Sequence, residues 1–405
     1  MRYANSATLL CLKIRKDYVM NRKNIYLMYA IVLLQGMVFY GPIATLYRQA
    51  NGVSVFQITL IESISYILCI LFELPWGVIA DKIGYKKTMC FCCSLYFVSK
   101  LVFWRADGFA GFLLERILLS IVIAGLSGVD TSVLYLSCGK GESQKVFGIY
   151  NSLGTVGLLT ASFIFSVLVG ENYRVAALLT VISYGLAAIL SFFLSEVKSE
   201  EQRKICLHDF RVTFSRIVKN KTLILFLIAV AFVTQTHQTI TAFLNQIQYE
   251  KCGMSASNIG FVHIVITLVG MLGVFSDALT RKTGIKYTGI AFYIISFAAC
   301  FLLGFTGSAI ISVCGVLLLN LTNSLFQPFQ AEQQNKQVLS SNRATELSIY
   351  AIIIDSISAG TSVLFGALAK VSLKSAFLFG AALSLVGLTL FVFWTRRQTS
   401  IYRTV

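Results

Sequence analysis

Long apolar runs alternate with short polar ones along the whole chain, and that alternation predicts its elements. Twelve apolar segments lie at about 24–47, 56–80, 88–106, 109–137, 146–169, 173–195, 222–248, 255–280, 286–306, 308–332, 345–370 and 373–395. At ~1.5 Å of rise per residue, each is long enough to cross ~30 Å of hydrocarbon. Hydrocarbon offers an open backbone no hydrogen-bond partners, so the segments are predicted to be helices. The expected fold is an all-α polytopic membrane protein with twelve transmembrane helices.

The longest polar stretch divides the segments six and six. It predicts a tail at 1–23, a six-helix bundle at 24–195, a linker at 196–221, a second six-helix bundle at 222–395 and a tail at 396–405. In the linker, Phe210, Phe214, Ile217 and Val218 share a helical face while Arg211, Arg216 and Lys219 lie elsewhere, the pattern of a helix resting on a membrane surface. The first 23 residues are basic and hold no apolar run of signal-peptide length; Met20 stands directly before the first segment, so residues 1–19 read as an extension. Six plus six suggests an internal repeat. The polar loop at 77–87 is echoed by Gly273 to Asp277 and Arg281 to Lys286 in the second half, with three extra residues.

Composition removes the soluble alternative. Hydrophobic residues make up 56% of the chain and charged ones 13%, against roughly 25% in soluble proteins. The net charge of +16 points toward nucleic acid only until the charges are located. Of the 34 Lys and Arg, 26 fall in the tails and loops on the side of the N-terminus, and six in the loops on the other side. By the positive-inside rule both termini are expected in the cytoplasm, with the chain multi-pass in the plasma membrane and no nucleic-acid partner. Of the ten cysteines, Cys69, Cys90, Cys92, Cys93, Cys300 and Cys314 lie within apolar runs and read as small fillers. No metal site, cofactor or nucleotide-binding loop is expected.

In the loop between the second and third segments stand Gly77, Asp81, Lys82, Gly84, Lys86 and Lys87. This succession of glycine, acid, base, glycine and paired bases resembles the signature loop of the major facilitator superfamily. Residues 126–135 and 342–348 are similar to a bacterial multidrug-efflux-like branch. Two features depart from drug–proton antiporters: Gly154 and Gly157 are not followed by their proline, and Arg116 lacks the usual glutamine and glycine after it. The resemblance implies a monomer working by alternating access, with spans 1, 4, 7 and 10 around a central cavity. It assigns gating to Gly77, Asp81, Lys82, Gly84, Lys86 and Lys87, with Asp277 in the echo and Arg343 at the start of span 11, which Asp81 is expected to meet.

Candidate chemistry lies in ionisable and polar groups at bilayer depth, which are costly there and commonly functional. Arg116, Ser120, Ser127, Asp130 and Thr131 share one face of the fourth segment, making Asp130 a proton-binding candidate with Arg116 as counter-charge. Glu62 and the mid-span Asp355 are further proton candidates. Lys100, Arg105 and Glu115 are expected to snorkel to the outer interface. Gln35, Tyr40, Ser127, Gln235, Gln238, Asn245, Asn320, Asn323 and Gln327 are cavity candidates; the amides serve equally for ligand binding or helix pairing. His237 and His263 are secondary proton relays. These groups predict a secondary transporter with a small-molecule solute, protons and the lipid bilayer as partners. Proton-coupled efflux of an amphipathic or weakly cationic compound is the leading reading, and import of a small polar solute such as a sugar the alternative. A polytopic membrane enzyme, the reading from another class, would need a nucleophile or metal cluster at a membrane face; His208-Asp209 in the linker is the only hint, and there is no clustered His/Asp set.

Overall fold

The computed structural model describes residues 21–138, 143–197, 207–338 and 343–403, and every regular element among them is helical. The twelve spans are Arg22–Ala50, Val55–Ile83, Tyr85–Arg105, Gly108–Ser137, Ser143–Val169, Tyr173–Ser191, Lys221–Lys251, Ala256–Thr283, Ile285–Phe305, Ala309–Lys336, Arg343–Val371 and Leu373–Arg403. Among the described residues, eleven helices are long and apolar enough to cross a membrane. The remaining one, Tyr85–Arg105, has 21 residues but carries Lys86, Lys87, Lys100 and Arg105. The last span continues to Arg403, so the tail expected from residue 396 is helical over most of its length. Within the linker a helix spans Leu207–Lys219.

The repeat is legible in the backbone. Spans 3 and 9, Tyr85–Arg105 and Ile285–Phe305, are both 21 residues long and start 200 residues apart (85 to 285). Gly84 and Gly284 precede them with φ of 94° and 82°, a left-handed region that a side chain would resist. Spans 1 and 7 are interrupted at matching heights. Span 1 stops at Gly36, makes a 3₁₀ turn at Gly41–Ile43 around Pro42, which has no N–H to continue the ladder, and resumes at Ala44–Ala50. Span 7 inserts a π turn at Ile240–Leu244 before Asn245–Lys251.

With an even number of spans, both described chain ends lie at one face, called here the terminal face. Toward it the two halves keep separate cores. Met28, Met89, Cys93, Val133 and Leu134 belong to the first half, and Phe226, Phe292, Phe326, Phe391 and Trp394 to the second. Toward the far face a single core joins both, with Tyr47, Phe103 and Phe112 packed in the same cluster as Ile240, Leu244, Phe365 and Phe377. The molecule is therefore a V, closed at the far face and open at the terminal face.

The hydrogen bonds across the seam agree. At the far face the Thr45 amide donates to Gln246 Oε1 at 2.7 Å, the Ser63 hydroxyl to the Ala359 carbonyl at 2.7 Å, and the Ser362 hydroxyl to the Thr59 carbonyl at 3.1 Å. The Ser162 hydroxyl meets His263 Nδ1 at 3.0 Å, and the Ala256 amide donates to Glu171 at 3.2 Å. Spans 2 and 11 thus repeat the meeting of spans 8 and 5. A glycine lets the backbones approach in each case: a Cβ on Gly366 would collide with the Thr59 hydroxyl, and one on Gly260 with that of Ser166.

Candidate functional site

Glu62, Ser65, Tyr66 and Cys69 follow a spacing of three, one and three, which places them on one face of span 2. Arg116 and Ser120 do the same on span 4. Where these faces meet, Arg116 Nη2 lies 2.5 Å from Glu62 Oε2, and both side chains are largely withdrawn from solvent, 19% and 7% exposed. One turn away the Ser65 and Ser120 hydroxyls are 2.8 Å apart. The second half closes the site from span 7: Tyr66 donates its hydroxyl to Gln235 Oε1 at 3.2 Å, and Gln235 Nε2 donates to Thr239 at 2.9 Å. Asp355 of span 11 lies within electrostatic reach of Tyr66 and Cys69. The site therefore holds an ion pair from one half against a phenol, an amide and an acid at the seam. Arg116 Nε is buried with no hydrogen-bond partner, so the guanidinium retains a donor to offer.

The partnership of Arg116 corrects one expectation. Asp130 lies 14 residues farther along, ~21 Å at helical rise, too far to share a charge with Arg116. The helix also breaks between them, since Gly128 adopts φ of 79° and Val129–Ser137 starts a new register. Asp130 accepts from the Thr131 amide at 2.6 Å and faces the Tyr150 hydroxyl of span 5. It lies with the exposed Ser127 and Thr131 nearer the terminal face, at the mouth of the V.

A second correction concerns Lys100 and Glu115. They do not snorkel; both are buried, 4% and 1% exposed. Lys100 Nζ donates to the Tyr40 hydroxyl at 2.9 Å and to Glu115 Oε1 at 3.4 Å, while Arg48 Nη2 stands 3.9 Å from Glu115 Oε2. Arg105 does remain exposed, over the Trp104 ring. Nothing in a single span reveals this cluster, because its members come from spans 1, 3 and 4.

The cavity candidates divide. Gln238, Ser127 and Gln327 are exposed within spans, the condition for lining the cleft, and Asn323 is half-buried beside His237. Tyr40 instead packs inside the first half, stacked on Phe103 at 4.0 Å, and Gln35 reaches Cys93 Sγ at 3.5 Å in that bundle. Asn245 is buried and accepts from the Gln246 amide at 2.8 Å, and Asn320 donates to the Ile266 carbonyl at 2.7 Å. Asn320 thus ties span 10 to span 8, while the Asn245 bond is local to its own helix. His237 meets the Ser296 hydroxyl at 2.7 Å inside the second half, whereas His263 lies on the seam.

In the loop assigned to gating, Gly77, Asp81 and Lys82 belong to the end of the Val55–Ile83 helix, and their side chains lie outside the described residues, as does that of Arg343. The expected meeting of Asp81 with the start of span 11 therefore lies outside them too. Gly84 makes the turn, the Lys86 amide donates to Glu196 at 3.2 Å, and Lys87 is exposed. In the echo, Asp277 pairs with Arg281 at 2.9 Å.

Comparison with known proteins places this architecture. An MFS-type transporter of Methanocaldococcus jannaschii is 24% identical over 375 residues, covering 90% of this chain and 96% of its own. The transporter YwbF of Bacillus subtilis is 23% identical over 324 residues, 77% of each chain. Among solved structures, a mutant of the nucleoside transporter NupG superposes with a TM-score of 0.80 at 13% identity, covering 91% of this chain and 99% of the other. A bacterial homologue of the human lysosomal transporter Spinster, in an inward-facing unoccupied conformation, gives 0.67 at 17% identity, covering 92% and 93%. The sequence profile of the Major Facilitator Superfamily matches residues 25–358. With twelve helices in two repeated halves around a polar seam, the chain belongs to the major facilitator superfamily of membrane transporters.

Proposed function

We propose that this transporter moves a small organic solute by proton-coupled alternating access, with Glu62 as the proton-binding group. The observation that carries the reading is the buried Glu62–Arg116 pair beside the Tyr66–Gln235 bond between the halves. A carboxylate and a guanidinium at this depth hold each other ionised at a high desolvation cost. Protonating Glu62 releases Arg116 to the solute or to the seam, so proton binding and the tie between the halves become one event. The 26-to-6 division of Lys and Arg supports placing the terminal face, where the V is open, in the cytoplasm of a bacterial cell.

In the leading reading the solute leaves the cell in exchange for an entering proton. Asp130, Asp355, Tyr66 and Tyr150 offer acids and phenols suited to an amphipathic, weakly cationic compound. Import of a small polar solute is the second reading, favoured by the cleft amides Gln238 and Gln327 and by the shared fold of a nucleoside transporter. Inside-out vesicles with an acidic lumen separate the two. Solute accumulation driven by the pH gradient is expected for efflux and is lost in Glu62→Gln. Accumulation that persists unchanged in Glu62→Gln overturns the proton assignment, and gradient-driven solute loss from preloaded vesicles assigns import.

A further inference from the structure

Lys100, Glu115 and Arg48 form a charged box that the transport reading leaves unused. Three cations, Arg48, Lys100 and Arg116, stand here with two carboxylates, Glu62 and Glu115, leaving one positive charge in excess. Aromatic faces absorb that excess. Lys100 Nζ lies 5.6, 5.1 and 5.5 Å from the ring centroids of Tyr40, Tyr96 and Tyr184, and the Arg48 guanidinium 5.5 and 6.0 Å from those of Phe103 and Phe112. A ring presents its negative face to a cation, so these aromatics hold a charge that no carboxylate neutralises. Glu115 is shared between two cations, and its Oε2 has no hydrogen-bond partner.

Glu115 precedes Arg116 on span 4 and projects ~100° away around the helix. One residue is tied to spans 1 and 3, the next to span 2. We propose that Lys100 is a positioning residue for the Glu62–Arg116 pair: through Glu115 it fixes the rotation of span 4, and its positive charge adds to that of Arg116 on the side of the pair. This rests on Glu62 being the proton-binding group. A unit charge in so dry a layer is felt at the neighbouring pair. Removing it leaves the Glu62–Arg116 pair with one fewer cation nearby to favour a charged carboxylate.

Infrared titration of the purified protein tests this without a substrate. The carbonyl band of a protonated carboxyl is assigned to Glu62 by its disappearance in Glu62→Gln. In Lys100→Met the midpoint of that band is expected to rise by about one pH unit, the scale set by one added or lost charge nearby. Lys100→Arg is expected to restore the midpoint, and so is Lys100→Met with Glu115→Gln, which removes one charge of each sign. A wild-type midpoint in Lys100→Met overturns the inference while leaving Glu62 as the proton site. A midpoint that rises in Lys100→Met but stays raised in both rescue variants also overturns it. If no band depends on Glu62, the proton assignment falls and the role of Lys100 falls with it.

Discussion

Glu115 and Arg116 are adjacent in sequence and serve different neighbours, which shows how much a single residue's meaning depends on direction. Arg116 is held by Glu62 alone among the described ion pairs, so removing one partner strands the other. Arg116→Met is expected to destabilise the protein by about 3–5 kcal/mol, whereas Glu62→Gln with Arg116→Met costs clearly less, because no buried charge is left alone. Thermal unfolding in detergent reads both. Tyr66→Phe removes one neutral hydroxyl bond and is expected to change stability by only about 1 kcal/mol. Its effect falls on the closed seam, measured as faster labelling of a cysteine placed at Thr45, which the far-face seam buries. At this scale the sequence named Glu62, Arg116 and Gln235 but not who meets whom. Depth in the bilayer can be counted along a span; azimuth cannot. Lys100 lies near the end of its helix, where a long side chain reaches water as easily as protein. Its inward turn is set by Tyr40, Tyr96, Tyr184 and Glu115, three of which lie on other spans.

At the scale of elements, the apolar runs revealed helix number and order, while the breaks within helices were less legible. Pro42 announces the interruption of span 1, but the turn at Gly128 carries no comparable mark, and the one-face reading of Arg116 and Asp130 failed there. Spans 1 and 5 pack through glycine. A Cβ on Gly157 would collide with the Leu33 carbonyl and one on Gly36 with the Gly154 carbonyl, both backbone atoms that cannot swing aside. Gly157→Ala is therefore expected to cost about 1–3 kcal/mol, seen as a lowered unfolding temperature. Gly148→Ala on the same helix, with open space around it, is expected to leave that temperature unchanged. Gly154 and Gly157, which stand in span 5 without the antiporter proline, thus have a packing role of their own.

For the whole molecule, the repeat was visible as one echoed loop and is far more extensive in the backbone, because geometry persists after side chains diverge. The V shape was not legible at all. It depends on how the seam packs in three dimensions, which the order of apolar runs along the chain does not record. Cysteines at positions 63 and 359, where a hydroxyl now meets a carbonyl at 2.7 Å, are expected to form a disulfide under mild oxidation and to stop flux until reduced. Oxidation without loss of flux would show that the far face need not open.

The linker helix pairs Arg216 with the buried Glu346 and packs Ile217 into the second half's own core. It is therefore built into one half. The covalent join between the halves precedes Leu207, and each half brings its own interior at the terminal face. In terms of assembly, this is a heterodimer that happens to be written as one polypeptide. Residues 1–197 and 207–405, expressed as separate chains in one cell, are expected to find each other through the far-face core and co-purify.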